Sequence, residues 1–339
     1  MRHIIVILTN VTIVIASFFF ESCTNKYYDE KGSVFGTIYD IKYQSKHLMT
    51  TKIDSVFQVL NLSVNPFIPN SIISKVNRNE DVEVDDHFTI VFNRALEVSE
   101  KSDGFFDVTC APLINLWGFG FEKLDSISPQ IVDSIRVFVG YKKIRLHNNR
   151  VIKDDPRIEL NFSAIAKGYA CDVISEMFER EGINNYMIWI GGEVVTKGKN
   201  PDHDCWHMGI NRPPKDDKDI NDIMIDKAED IVLLCSKKGM ATSGDYRNFY
   251  IKNGKKYAHT INPKTGYPAG QSLLSVTIIA NDCMTADAYA TACMAMGTDA
   301  AVEMLKDIPE LEYYLIYPDE TNHSEFKKSM SSGIKNIIR

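Results

Sequence analysis

Asp287 and Thr291 stand four residues apart in Thr285-Ala-Asp-Ala-Tyr-Ala-Thr-Ala-Cys-Met-Ala-Met-Gly297, an Ala-rich run whose composition predicts a helix. Spacing of i, i+4 puts both side chains on one face, one above the other. A carboxylate and a hydroxyl on a rigid element, among small apolar residues, suit a hard cation such as Mg2+. A plainer reading stands beside this one. Asp287 lies in the first turn of that helix, where the macrodipole favours an acid, and Thr291 can bond back to a carbonyl.

Other dense stretches keep the pair company. Ser102 to Gly120 (SDGFFDVTCAPLINLWGFG) mixes permissive glycines, aromatics and Asp107 flanked by apolar residues; a core segment with a surface turn explains it equally. Glu159 to Tyr169 (ELNFSAIAKGY) reads as a strand-to-helix junction, whose amides could hold phosphate with Lys167 adding charge, or which Ser163 could simply cap. In Ile190-Gly-Gly-Glu193 the glycines either admit a ligand close to the backbone or shape a turn. Ala241 to Arg247 (ATSGDYR) reads as a polar turn after a strand, and His259 to Gly266 (HTINPKTG) as a strand running into a Pro/Gly turn. A His at a strand end is commonly structural, yet it titrates near neutrality unaided and is therefore a proton-transfer candidate.

Composition narrows the field. With 339 residues, 44% hydrophobic and 24% charged, the chain has the balance of a soluble globular protein with a full core. Its net charge of −7, with no Lys/Arg run, excludes sequence-independent nucleic-acid binding. GxGxxG, GxxxxGK[ST] and GxSxG are all missing, so dinucleotide-fold, P-loop and hydrolase-elbow readings fail.

The N-terminus departs from this average. Ile4 to Phe20 carries no charge and follows Arg2, which fits a secretory signal, and length alone leaves an uncleaved anchor open. Cys23 after the small Ser22 resembles a bacterial lipoprotein cleavage site, although Glu21 is unusual there. The expected organisation is a signal peptide over 1–22, a tether over 23–32, and one catalytic domain over 33–339. The protein is then exported, lipid-anchored to a bacterial membrane through Cys23 and periplasm-facing. Cys110, Cys171, Cys205, Cys235, Cys283 and Cys293 show no CxxC or zinc-finger spacing; their even number in an exported protein permits disulfides, but the spacings form no framework and most sit in apolar runs, so buried free thiols are the default expectation.

The elements that must position these residues follow from periodicity. Val34 to Tyr43 reads as a strand. Ile53, Val56, Phe57 and Leu60, then Phe88, Val91, Phe92, Ala95 and Leu96, follow helical spacing, with Asp85 and Asp86 near the start of the second helix. Ser128-Pro129 opens a short helix through Ile135, and Lys143 to Lys153 reads as a hairpin turning at Asn148-Asn149. A strand at Ile158–Asn161 leads into a helix from about Ser163 to Arg180, stopped by Gly182. Further strands are expected at Tyr186–Ile190, Trp206–Ile210, Ile231–Cys235, Tyr246–Lys252, Leu274–Ala280 and Tyr313–Tyr317. Helices are expected around Ala286–Met296 and Asp299–Lys306, and a solvated loop over Pro213–Asp219. Adjacent strands and clustered helices give the α+β class, mostly antiparallel sheet with packed helices.

Taken together, the ordered motifs from Phe35-Gly-Thr37 to Gly297 resemble the FAD:protein FMN transferase (ApbE) family. The resemblance implies an ApbE-like (T-fold-like) fold and a Mg2+-dependent enzyme. Such an enzyme cleaves FAD at its pyrophosphate, joins FMN by a phosphoester bond to a threonine or serine of an exported target, and releases AMP. It implies that Asp287, Thr291 and the carbonyl of Ala164 hold Mg2+. It also implies that Phe35, Phe67, Phe105, Phe106 and Asp107 line the FAD site, with Asn161 and Lys167 near its adenine and phosphate portions and Ile261 at the flavin. His259 is the leading candidate for removing the proton of the target hydroxyl. Two positions depart from the family's pattern: Phe67 stands where many transferases carry Tyr, and Asn161 where an acid is common. Phe67 motivates a second reading, an FAD pyrophosphatase giving FMN and AMP. A third is a non-catalytic flavin-binding lipoprotein. The implied partners are FAD, a redox-complex subunit as acceptor, and a membrane.

Overall fold

The computed structural model describes residues 25–120, 127–213, 228–244, 249–252, 255–270, 272–319, 321 and 325–339. The expected signal, Cys23, residues 214–219 of the polar loop and residues 245–247 lie outside the described residues.

An eight-stranded sheet organises the molecule, antiparallel at every described pairing, in the order β1-β2-β5-β6-β9-β12-β13-β14. These strands are β1 (Lys26–Val34), β2 (Thr37–Ser45), β5 (Tyr186–Ile190), β6 (Glu193–Lys197), β9 (Lys238–Gly244), β12 (Ser275–Ala280), β13 (Glu312–Pro318) and β14 (Phe326–Met330). The two faces alternate with the pleat. Tyr186, Ile188 and Ile190 of β5 enter the larger core, whereas Met187 enters a second one behind the sheet.

The larger core lies beneath α1 (Thr50–Val64), α3 (Asp86–Lys101), α6 (Ala166–Arg180) and α7 (Cys283–Met296). In α3 the buried Phe88, Val91, Phe92, Ala95 and Val98 form one stripe, and Asp85 caps the helix by accepting from the Phe88 N–H at 2.8 Å. The opposite face is covered by β7 (Trp206–Asn211) and β8 (Ala228–Leu234), through Trp206, Ile210, Val232 and Leu234. Short helices α2 (Ile72–Asn77), α4 (Ala111–Leu116), α5 (Pro129–Arg136) and α8 (Thr298–Lys306), the hairpins β3–β4 (Ile144–His147, Arg150–Lys153) and β10–β11 (Phe249–Lys252, Lys255–Ala258), and single 3-10 turns at Tyr141–Lys143 and Ile334–Asn336 complete the described elements. Ser128 caps α5, and the β3–β4 turn falls at Asn148-Asn149, both with positive φ, as their spacing predicts.

Several expectations are corrected. The strand expected at Val34–Tyr43 is the end of one strand and most of the next. Phe35 (φ 52°) and Gly36 (φ 74°) make a two-residue turn between β1 and β2. From Lys26 onward the expected tether is therefore the edge strand of the sheet. Ile158–Asn161 is irregular rather than a strand. Ala241–Gly244 belongs to β9, paired with Ser275–Ile278 of β12, rather than to a turn. Cys205 and Cys235 form a disulfide that clasps β7 to the end of β8, while Cys110, Cys171, Cys283 and Cys293 are free and buried as expected. The bond joins two β neighbours whose pairing no Cys spacing encodes.

Candidate active site

Helix α7 is apolar nearly all round, because it packs against both the sheet and α6. Between Cys283 and Ala295 every residue is buried except Thr291. Asp287 is 2% exposed. The expected pair therefore forms a polar break in a buried helix, opening outward at Thr291.

Helix α6 meets α7 at Gly168, where α6 has no side chain. A Cβ added to Gly168 would sit 2.4 Å from the Cys283 carbonyl oxygen and 2.9 Å from the Asp287 Cβ, so only glycine admits this approach. From there the Gly168 N–H donates to Asp287 Oδ2 at 3.0 Å. The hydrogen bond ties Asp287 to the first turn of α6, four residues beyond Ala164. The segment carrying Ala164, just ahead of α6, is shaped by an Asx turn: Asn161 Oδ1 accepts the Ser163 N–H at 2.8 Å. The turn delays the helix, which starts at Ala166 rather than near Ser163, and Ile165 at its cap offers no side-chain acceptor. The Asn161 N–H donates to the Val108 carbonyl at 2.8 Å, joining this junction to the Phe105–Asp107 loop.

Lys167 lies between two acids. Its Nζ is 2.9 Å from Glu193 Oε1 and 3.9 Å from Asp287 Oδ1. Burial alone would lower the ammonium's pKa, but the carboxylates of Asp287 and Glu193 outweigh it and hold Lys167 firmly charged. Burial pushes the Asp287 carboxyl up to about 7; Lys167 and the Gly168 N–H oppose that rise and Glu193 adds to it. Glu193 Oε2 is buried without a hydrogen-bond partner. Glu193 was visible in the sequence only as the end of a glycine turn; its partnership with Lys167 depends on β6 lying beside α6.

The aromatic residues divide between clefts and core. Phe35 and Phe67 line one cleft of about 540 Å3 with Tyr39, Asp54, Phe57 and Asn61. Phe105 lines another, of about 510 Å3, beside Met296 and Met304. Phe106 is buried in the main core. Asp107 faces the polypeptide: it accepts from the Thr109 N–H and hydroxyl at 2.8 and 2.6 Å and from the Tyr141 N–H at 2.8 Å. Burial raises its pKa against those donors.

His259 follows β11 at the start of a strap that reaches α7. The Asn262 side-chain amide donates to the Ala295 carbonyl at 3.1 Å, and Trp117 Nε1 donates to the Gly266 carbonyl at 2.8 Å. Lys264 pairs with Asp103 and lies 4.2 Å from the centre of the Phe105 ring, so the strap also reaches the Phe105 cleft. Ile261 is buried against Trp117, Leu113 and Val132. The half-buried His259 ring meets Phe119 edge-on, with centroids 6.4 Å apart. Among the described residues no group of three or more His, Cys, Asp or Glu could hold a metal ion by itself. A cation at Asp287 would depend on hydroxyl, carbonyl and solvent oxygens as well.

The profile of the ApbE family matches residues 35–315. An FAD:protein FMN transferase of Vibrio cholerae is 34% identical over 321 residues, covering 91% of each chain. One of Haemophilus influenzae is 33% identical over 318 residues, covering 88% of this chain and 90% of the relative. The solved structure of the flavin transferase ApbE from Vibrio cholerae superposes with a TM-score of 0.81 at 30% identity, covering 92% of this chain and 99% of that one. A family profile spanning most of the chain, a shared fold, and close relatives along nearly its full length agree: the chain belongs to the ApbE family.

Proposed function

We propose that the protein is a Mg2+-dependent enzyme that cleaves FAD at its pyrophosphate, attaches FMN to a threonine or serine of an exported target protein, and releases AMP. Family membership makes it a flavinyltransferase; the metal, the acceptor residue and the leaving group are our reading. The observation that carries it is the polar break in α7, where Asp287, the one charged residue of a buried and mostly apolar helix, shares a face with the half-buried Thr291.

The residues present fit a hard cation. With both carboxyls ionised, Asp287 and Glu193 against Lys167 leave one net negative charge, and Glu193 Oε2 lacks a hydrogen-bond partner. Asp287, Thr291 and the Ala164 carbonyl would hold Mg2+, which when bound neutralises charge on phosphate oxygens as a Lewis acid. The chain's own residues do the rest. Phe35 and Phe67 offer an aromatic-walled cleft for a planar ring. Lys167, fixed in its charged form, supplies a cation beside the α6 start. His259 accepts the hydroxyl proton of the target as its oxygen bonds to phosphorus and the pyrophosphate P–O bond breaks toward AMP. Export and a lipid anchor at Cys23 belong to the same reading.

Incubation with FAD, Mg2+ and a threonine-containing acceptor, followed by mass measurement of the acceptor, tests it. Covalent FMN supports transfer. Free FMN and AMP with an unmodified acceptor would convert the reading to an FAD pyrophosphatase, and unchanged FAD to a binding protein.

A further inference from the structure

Asp172, one turn beyond Gly168 on α6, has a carboxylate that reaches across to the neighbouring helix. Its Oδ1 accepts the Cys283 N–H and its Oδ2 the Met284 N–H, each at 2.8 Å. These are two of the unsatisfied donors that open any helix. Helix α7 already has an ordinary cap, for Asp282 accepts the Thr285 N–H at 2.8 Å. A second cap, supplied by another helix, does something the first does not: it ties α7 to α6.

The tie is matched along the contact. Gly168 and Asp172 share one face of α6; Cys283 and Asp287 share one face of α7. Gly168 holds Asp287 and abuts the Cys283 carbonyl, while Asp172 holds the N–H groups of Cys283 and Met284. Behind this turn, Gly239 of β9 leaves no slack, since a Cβ there would lie 2.3 Å from the Cys283 nitrogen. The axial position and rotation of α7 are thus fixed at its first turn, against the helix whose leading segment carries Ala164. A slip of one residue would move Asp287 by about 1.5 Å along the axis and turn it by about 100°.

We propose that Asp172 is a positioning residue for the cation site, setting α7 so that Asp287 and Thr291 face the Ala164 segment. The proposal rests on the reading that those three residues hold Mg2+. Groups that orient metal ligands without touching the ion commonly change affinity by about 10–100-fold when replaced.

Mn2+ serves as the probe, titrated into the protein and followed by the electron paramagnetic resonance of the free ion. Asp172→Asn, which loses one acceptor oxygen, is compared with the parent, with Asp287→Ala, and with Asp85→Ala, which removes the N-cap of α3. The expected result for Asp172→Asn is a half-saturating Mn2+ concentration raised about tenfold at an unchanged number of sites per chain, with Asp85→Ala binding as the parent does. Fewer sites at unchanged half-saturation, or parental binding, would show a merely structural role and overturn the proposal. Parental Mn2+ binding by Asp287→Ala would instead overturn the metal reading itself. Should Asp172→Asn fail to fold, Asp172→Glu keeps the charge on an arm one methylene longer, and the same increase is expected.

Discussion

At position 287 a buried carboxylate faces one ammonium and one N–H, and replacing it with alanine leaves Lys167 to Glu193 alone. Asp287→Ala is expected to abolish Mn2+ binding and to lower FAD turnover by at least about 100-fold. Retained FMN transfer with unchanged Mg2+ dependence would sink the assignment. His259 is tested separately. A His259→Gly enzyme should lose about 10²–10⁴-fold in FMN transfer at saturating FAD, and the parental rate would eliminate it as the base. A pH effect belongs to Lys153, whose Nζ donates to the Ile158 carbonyl at 2.8 Å. Burial pulls its pKa from 10.5 down to about 8, with Glu159 opposing. Between those values the unfolded chain binds the proton more strongly, so stability rises with pH across that window. Urea unfolding at pH 7.5 and pH 10 should show the parent gaining on Lys153→Met at the higher pH; a gap that widens the other way would reverse the assignment.

Among the elements, the β7–β8 clasp lies on the face of the sheet away from α6 and α7, so its disulfide bears on stability alone. Replacing Cys205 and Cys235 together by serine should cost about 3–4 kcal/mol, from the loop of 30 residues that the bond closes. Denaturant midpoints would measure this, with FAD turnover unchanged in the folded variant. Legibility varied by element for physical reasons. Helix α3 could be read because its stripe and its Asp85 cap are local signals, and the β3–β4 turn because two asparagines tolerate positive φ. The second half of β9 escapes the sequence because Thr242, Ser243 and Gly244 look like a turn; only pairing with β12, including the 2.9 Å contact of Thr242 and Thr277 hydroxyls, makes it a strand. The start of α6 was misplaced because Asn161 turns the chain before Ser163 can cap it. Asp287, Thr291 and Lys167 were visible by type and spacing. Glu193 and Asp172 were not, since their roles exist only once β6 and α7 lie against α6.

The whole molecule is a sheet between a helical layer and a small β clasp, and the α+β, mostly antiparallel class read from element order holds. The family match agrees with that reading and with the enzyme expected from it. The site draws on parts far apart in the chain, with α6, β6 and α7 converging on Lys167 and Asp287. The sheet does the same at its second junction. Strand β2 is closed by β5, and Gln44 bonds to Asn185, 141 positions later. Emergence from a ribosome at roughly 5–20 residues per second puts about 7–28 s between those two residues. The first hairpin must wait that long, one edge unsatisfied, before its neighbour exists.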